Sequence, residues 1–284
     1  MFKIDGGLST ALEERGNVLS SALWTGELLR SAPQEIEAAH RTFVDSGAQI
    51  IITSSYQLSL SGCRTRGWSD QETTDALMLS TQLARNAAGY GDVKVAASIG
   101  PYGASLADGS EYRGNYGISN TAMREFHYKR LEILLASQPD LLAIETMPDM
   151  QEVEVILDLI EEIGNGISYW VSYSCKAGSM TNAGQSFYDA VELVDQRRGA
   201  VAVGANCTAP ELISELLGSA KSELPFVVYP NSGRNWDATA KQWIGSTTST
   251  LNPTAVREWI ALGAQFIGGC CGISPKEIAE LDLP

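Results

Sequence analysis

Short β-rich runs separated by amphipathic stretches of helical length constrain this chain more than any other feature. The runs are Phe2–Asp5, Gln49–Ser54, Val93–Gly100, Asp140–Thr146, Ile167–Ser174, Ala200–Cys207, Pro225–Ser232 and Ala264–Cys271. Most are continuously apolar rather than alternating, as expected of parallel strands covered on both faces or lining a packed barrel. Between them, Gln34–Gly47 places Ile36, Ala39, Phe43 and Val44 on one face. Ser69 with Glu72 forms a capping box for a helix reaching about Asn86. Thr121–Ser137 follows, then a helix opened by Asp149 with Glu152 and ending near Ile163. Phe187–Arg197, Pro210–Lys221 and Pro253–Leu262 complete the set before a terminal helix capped by Ser274, with Pro275 and Glu277 behind it. Strands alternating with helices in this way predict an α/β fold, a (β/α)8 barrel. A doubly wound sheet would need a glycine-rich dinucleotide turn after the first strand, and Gly6-Gly7-Leu8-Ser9-Thr10 does not supply one. The 284 residues would also accommodate two smaller domains. With no repeat beyond the βα unit and no linker, a single domain over residues 1–284 is the economical expectation. The irregular pieces are Asn17–Pro33, Gln57–Trp68, Tyr102–Ser119 and Asn231–Asn252. All but the first follow strands directly and are expected on the catalytic face.

Chemistry in such a barrel gathers at the C-terminal strand tips. Those tips offer Asp5-Gly6-Gly7, Thr53 to Gln57, Gly100-Pro101-Tyr102, Glu145-Thr146, Ser174-Cys175-Lys176, Asn206-Cys207, Tyr229 to Ser232 and Cys270-Cys271. The five cysteines are an odd number, which argues against a disulfide framework. Neighbouring residues of a strand point to opposite faces, so Cys270 and Cys271 reach one ligand only if the backbone bends, and Gly268, Gly269 and Gly272 permit that. A third thiol from tip six, Cys207, lies two strands from the pair; Cys175 at tip five is the rival, and buried core cysteines are the bland alternative. Three thiolates suit Zn²⁺ and leave its fourth position open. Such a site is a poor polariser of carbonyls but makes a substrate thiolate nucleophilic, so it points to thiol activation. Cys63 falls in a loop and reads as a bystander. His40 and His127, both in helical segments, read as structural.

The formal charge is −14, from 20 Lys and Arg against 34 Asp and Glu. An acidic surface repels phosphate backbones and argues against nucleic-acid binding. No apolar run approaches the ~18 residues of a membrane span, and no secretory signal is visible at the start, so the expectation is a cytoplasmic protein with small-molecule substrates and no membrane partner. The oligomeric state stays open.

Asp5-Gly6-Gly7 with Leu12-Glu13, Leu23-Trp24, Thr53-Ser54-Ser55-Tyr56-Gln57, Gly100-Pro101-Tyr102-Gly103, Leu106 to Tyr112, Glu145-Thr146, Gly204 to Cys207, Tyr229 to Gly233 and Gly268 to Cys271 together resemble the homocysteine S-methyltransferase family. The resemblance runs from end to end, in order, and is nearest to the branch using S-methylmethionine or S-adenosylmethionine. It implies a (β/α)8 barrel with one Zn²⁺ per chain, held by the catalytic thiols Cys207, Cys270 and Cys271, and methyl transfer to L-homocysteine in methionine biosynthesis. It implies that Glu145 holds the homocysteine ammonium and that Asp5, beside Gly6, touches substrate. Asn206 and Asn231 would donate near the metal or to a carboxylate, or else satisfy their own turns. Trp24, Tyr56, Tyr102, Tyr112, Tyr116 and Trp236 offer faces for a sulfonium. Many members carry Arg where this chain has Gly272.

Other readings remain at this point. The acceptor could be selenocysteine or another thiol. Lys176 at tip five could serve a Schiff-base aldolase, with the glycine-rich eighth tip as a phosphate site. A zinc-storing module is the non-enzymatic rival.

Overall fold

The computed structural model describes every residue except 20, 234, 238–241 and 245–250, with backbone alone for 235–237 and 242–244. Eight parallel strands form one sheet. They are β1 (Phe2–Lys3), β2 (Ile50–Ile52), β3 (Lys94–Ile99), β4 (Leu141–Met147), β5 (Tyr169–Tyr173), β6 (Ala200–Asn206), β7 (Phe226–Tyr229) and β8 (Ala264–Ile267). Each pairs with its neighbour in sequence, and β1 pairs with β8. An Ile4–Ile50 bridge joins β1 to β2 and closes the barrel. The fold is therefore the expected (β/α)8 barrel in a single domain.

The two-residue period of the strands sorts their side chains into two cores. Ile4, Ile50, Ala96, Leu141, Ala143, Trp170, Ala202, Val227, Tyr229 and Phe266 fill the interior. Residues one step along, such as Ile51, Val95, Leu142, Ile144, Val171, Val203 and Val228, pack outward under the helices. The same step carried toward the strand tips takes Leu141 and Ala143 on to Glu145, Ala96 on to Ser98, and Ala202 on to Asn206. The top layer of the lumen is thus polar, and all of it is buried.

The capping boxes of Ser69 and Ser274 and the Asn252 cap are present. Asp149 caps its helix by accepting from the Gln151 amide, but Glu152 turns inward. It meets His127 Nε2 at 2.7 Å and accepts from the Tyr102 amide at 2.5 Å. Arg130 Nη2 lies 2.7 Å from His127 Nδ1 and donates to Gly100 O at 2.6 Å. Because Nδ1 faces a guanidinium donor it must accept, so the imidazole is neutral and donates from Nε2. His127 is thus structural, as expected, and helps fasten the third strand tip. His40 is also buried. Neither ring nitrogen finds a partner, and burial lowers its pKa to about 4.

After α1 (Leu8–Glu14), the stretches read as irregular hold short helices that pattern analysis misses: α2 (Thr25–Ser31), α4 (Leu60–Arg64) and α6 (Tyr102–Leu106), with α3 (Pro33–Asp45) and α5 (Asp70–Ala88) completing the first half. Five to seven residues are too few to display a helical period. Pro210–Lys221 divides into a 3₁₀ turn, Pro210–Leu212, and a helix, Ile213–Ser219.

Candidate metal centre and substrate pocket

Cys207 follows the last residue of β6, and Cys270 and Cys271 lie in the turn beyond β8. The Cys270 amide donates to Pro230 O and the Gly269 amide to Asp5 O, which stitches this turn to both neighbouring strands. The backbone bend allows both thiols to face the same point. The Sγ atoms of Cys207 and Cys271 are 3.7 Å apart, those of Cys270 and Cys271 are 4.0 Å apart, and all three sulfurs lie within 4.8 Å of one another. Metal–sulfur bonds of ~2.3 Å in a tetrahedron give sulfur–sulfur edges of ~3.8 Å. The donor set and its spacing therefore fit a thiophilic metal ion. Cys207 gives up its proton most readily, because Cys270 and Cys271 donate to its sulfur; the same interaction holds the other two thiols above the ordinary range. Cys175 stays apart, its Sγ 3.8 Å from Tyr173 O and its thiol pushed up by burial. Cys63 is buried in α4, its thiol likewise raised by burial.

The cluster forms one wall of a cavity of about 110 Å³. Asp5, Gly6, Trp24, Tyr56, Glu111, Tyr112, Glu145 and Thr146 line the rest. The Glu145 carboxyl is raised to about 7 by burial, against bonds from Ser98 and Tyr229 that favour its charge. The Tyr229 hydroxyl in turn accepts from Trp170 Nε1 at 3.0 Å and lies 2.5 Å from Ser172 Oγ. Asp5 accepts from the Ile52 amide at 2.8 Å through Oδ2, while Oδ1 has no partner. Burial, with the Glu145 charge adding to it, raises Asp5 well above the usual carboxylate range. Burial thus favours the neutral form of both acids, and a cation in the cavity would favour the ionised one.

The two asparagines sit behind the cavity surface. Asn206 Oδ1 accepts from the Thr146 amide at 2.7 Å, its Nδ2 donates to Thr146 Oγ1 at 2.8 Å, and Nδ2 lies 3.9 Å from Cys270 Sγ. Asn231 Nδ2 donates to Cys207 O, and its Oδ1 accepts from the Gly233 amide. Both thus brace the ligand-bearing backbone. Of the aromatic candidates, Trp24, Tyr56 and Tyr112 face the cavity. Tyr102 and Tyr116 instead pack together, ring centroids 5.3 Å apart, and the Trp236 side chain lies outside the described residues. Trp24 brings part of Asn17–Pro33 to the cavity, although that stretch does not directly follow a strand. Lys176 is exposed and donates to Asn182 O, so it does not serve the cavity as a Schiff-base amine.

Pattern reading passed over Ser98, which continuing the strand period signals, and gave no role to Tyr229 at the seventh tip. The Tyr112 hydroxyl contact with Cys207 Sγ, at 3.2 Å, has no such signal. Trp24, Thr146 and Cys207 all adopt positive φ, at 49°, 60° and 45°. Strained backbone at non-glycine residues concentrates where surroundings over-determine a functional geometry.

A (β/α)8 barrel with three convergent thiols and buried acids at its mouth defines a class of barrel enzymes that work on a thiol at a metal. The chain belongs to the homocysteine S-methyltransferase family, whose profile matches residues 4–283, and is an enzyme of that class. It is 40% identical to homocysteine S-methyltransferase 4 of Zea mays, over 98% of this chain and 87% of that one. It is 37% identical to homocysteine S-methyltransferase YbgG of Bacillus subtilis, over 99% and 93%. Its fold superposes on the metallated crystal form of homocysteine methyltransferase MmuM from Escherichia coli with a TM-score of 0.86, at 36% identity over 98% and 94% of the two chains. The apo form of MmuM gives 0.76. Among the described residues no helix is long and apolar enough to cross a membrane.

Proposed function

We propose that the chain transfers a methyl group from a sulfonium, S-methylmethionine or S-adenosylmethionine, to the thiol of L-homocysteine, forming methionine, with one Zn²⁺ held by Cys207, Cys270 and Cys271. The observation that carries this reading is the three-sulfur cluster opening onto a pocket of buried, underpartnered carboxyls. When bound, zinc on three thiolates supplies a soft Lewis acid that keeps the acceptor's sulfur deprotonated at neutral pH. Glu145 and Asp5 accept the homocysteine ammonium, a charge that brings both acids into their ionised form. Asn206 fixes Thr146, and with it the adjacent Glu145, relative to the thiols. Trp24 and Tyr56 present aromatic faces to the sulfonium, each worth roughly 0.5–2 kcal/mol. The acceptor sulfur bonds to the methyl carbon as the carbon–sulfonium bond breaks, the electron pair leaves on a neutral thioether, and the acceptor's thiol proton has already passed to solvent. Charge is consumed in this step, and a buried pocket with fixed groups favours it through positioning.

The test is an assay of zinc-loaded protein with homocysteine and each sulfonium, reading methionine. Turnover with at least one donor is expected, with loss of both zinc and activity in Cys207→Ser, Cys270→Ser and Cys271→Ser. Full activity in the metal-free triple variant would overturn the proposal.

A further inference from the structure

Two amino-acid substrates bring three positive charges to this pocket: an ammonium on each, and the sulfonium of the donor. Three carboxyls line it. Asp5, just beyond β1, and Glu145, near the end of β4, stand at strand tips and take the homocysteine ammonium in the reading above. Glu111 is separate. It rides on a 3₁₀ turn, Ser110–Tyr112, after α6 and is 8% exposed. Its Oε2 is buried with no hydrogen-bond partner. The nearby guanidinium, Arg113, is largely exposed and pairs with Asp108 at 3.6 Å. A buried carboxyl oxygen left without a partner is costly, and the residue's own backbone amide and the exposed Arg113 offset the burial of Glu111 only in part.

The turn that carries Glu111 is held firmly. A Cβ on Gly103 would lie 2.5 Å from the Glu111 amide nitrogen and 2.7 Å from Ser110 C, so only glycine lets α6 and the turn approach this closely. The Ser110 amide donates to Asp108 Oδ1 at 2.9 Å, and Ser110 Oγ to Gly103 O at 3.3 Å. The next residue, Tyr112, places its hydroxyl on Cys207 Sγ. Glu111 is therefore fixed beside the thiol cluster, where the donor's reactive end must come, and beside the aromatic faces of Tyr56 and Tyr112.

Resting on the methyltransferase reading above, we infer that Glu111 is the carboxylate that recognises the cationic methyl donor, distinct from the pair that holds homocysteine. Its charge favours the bound donor. Because the sulfonium charge disappears as methyl moves, this attraction is no stronger in the transition state than in the ground state. Glu111 thus serves donor affinity rather than the chemical step.

The experiment compares zinc-loaded wild type, Glu111→Gln and Glu111→Asp, with homocysteine and either S-methylmethionine or S-adenosylmethionine. Glu111→Gln is expected to raise the donor KM about 10- to 100-fold, the range of a lost charge-assisted contact. The fall in kcat at saturating donor should be much smaller and the homocysteine KM unchanged, with Glu111→Asp intermediate. Calorimetric titration of homocysteine into the Gln variant reads whether the pocket is intact. An unchanged donor KM, a rise confined to homocysteine, or an equal rise for both would overturn the inference. Absence of wild-type turnover with either donor would instead refute the methyltransferase reading itself.

Discussion

Asn206→Ala removes the brace between the Glu145 tip and the cysteine tip, and its cost can be worked from the bonds it makes. The side chain is fully buried and exchanges two hydrogen bonds with Thr146, at 2.7 and 2.8 Å. Truncation orphans the Thr146 amide at ~1–3 kcal/mol and also loses the bond to its hydroxyl. Against this, Thr146 is held at a φ of 60°, and release from the left-handed region returns ~1–2 kcal/mol. The net destabilisation is about 2 kcal/mol, or a Tm lower by ~3–4 °C for a chain of this size. The functional loss is larger than the stability loss. Once Thr146 relaxes, Glu145 moves with it, and a misplacement of ~1 Å costs ~100-fold in turnover. Thermal unfolding of the metal-free protein and the homocysteine kcat/KM read the two effects separately. Asn206→Asp keeps an acceptor for the Thr146 amide and should recover most of the stability. Asn206→Ala with wild-type Tm and wild-type kcat/KM would refute the reasoning.

Other outcomes follow from the same geometry. Burial raises the Glu111 carboxyl from an unfolded value near 4.5 to about 7. The folded state therefore binds the extra proton, and the contribution is present in full below pH ~4.5 and lost as pH rises through 7. Relative to wild type, metal-free Glu111→Gln should gain up to roughly 3 kcal/mol between pH 5 and pH 8; a difference independent of pH in chemical denaturation would contradict this. Gly272→Arg should destabilise the protein, because Gly272 has a φ of 82° and an added Cβ would meet Ser232 Oγ at 2.3 Å; an unchanged Tm would show that Ser232 yields without cost. Arg130→Met leaves Gly100 O and His127 Nδ1 without their donor and withdraws a charge that favours the Glu152 carboxylate, for an expected loss of ~2–5 kcal/mol in urea unfolding, and a loss below ~1 kcal/mol would refute that role.

The barrel was legible because eight apolar runs at βα spacing leave few alternatives, and Cys207, Cys270 and Cys271 because strand tips face one mouth. Extending the period of each strand by one step would also have found Ser98. Two things resisted. Asn206 and Asn231 carry the right chemistry for a ligand, but Asn231 turns into the backbone and Asn206 is held by Thr146 with its amide toward Cys270 Sγ, and only the tertiary course of tips four, six and seven decides that. Glu111 lies in a stretch with no period, and its burial depends on α6 docking through Gly103, a contact between segments that no local pattern encodes. Short helices such as α2 and α4 were missed for the related reason that one or two turns have no periodic signature.

The three-thiol centre is tested most directly by X-ray absorption at the zinc edge of the loaded protein, with and without homocysteine. Three sulfur neighbours at ~2.3 Å with one lighter atom, rising to four sulfurs when homocysteine is added, is the expected result. Fewer than three protein sulfurs, or a sulfur count unmoved by homocysteine, would contradict the account.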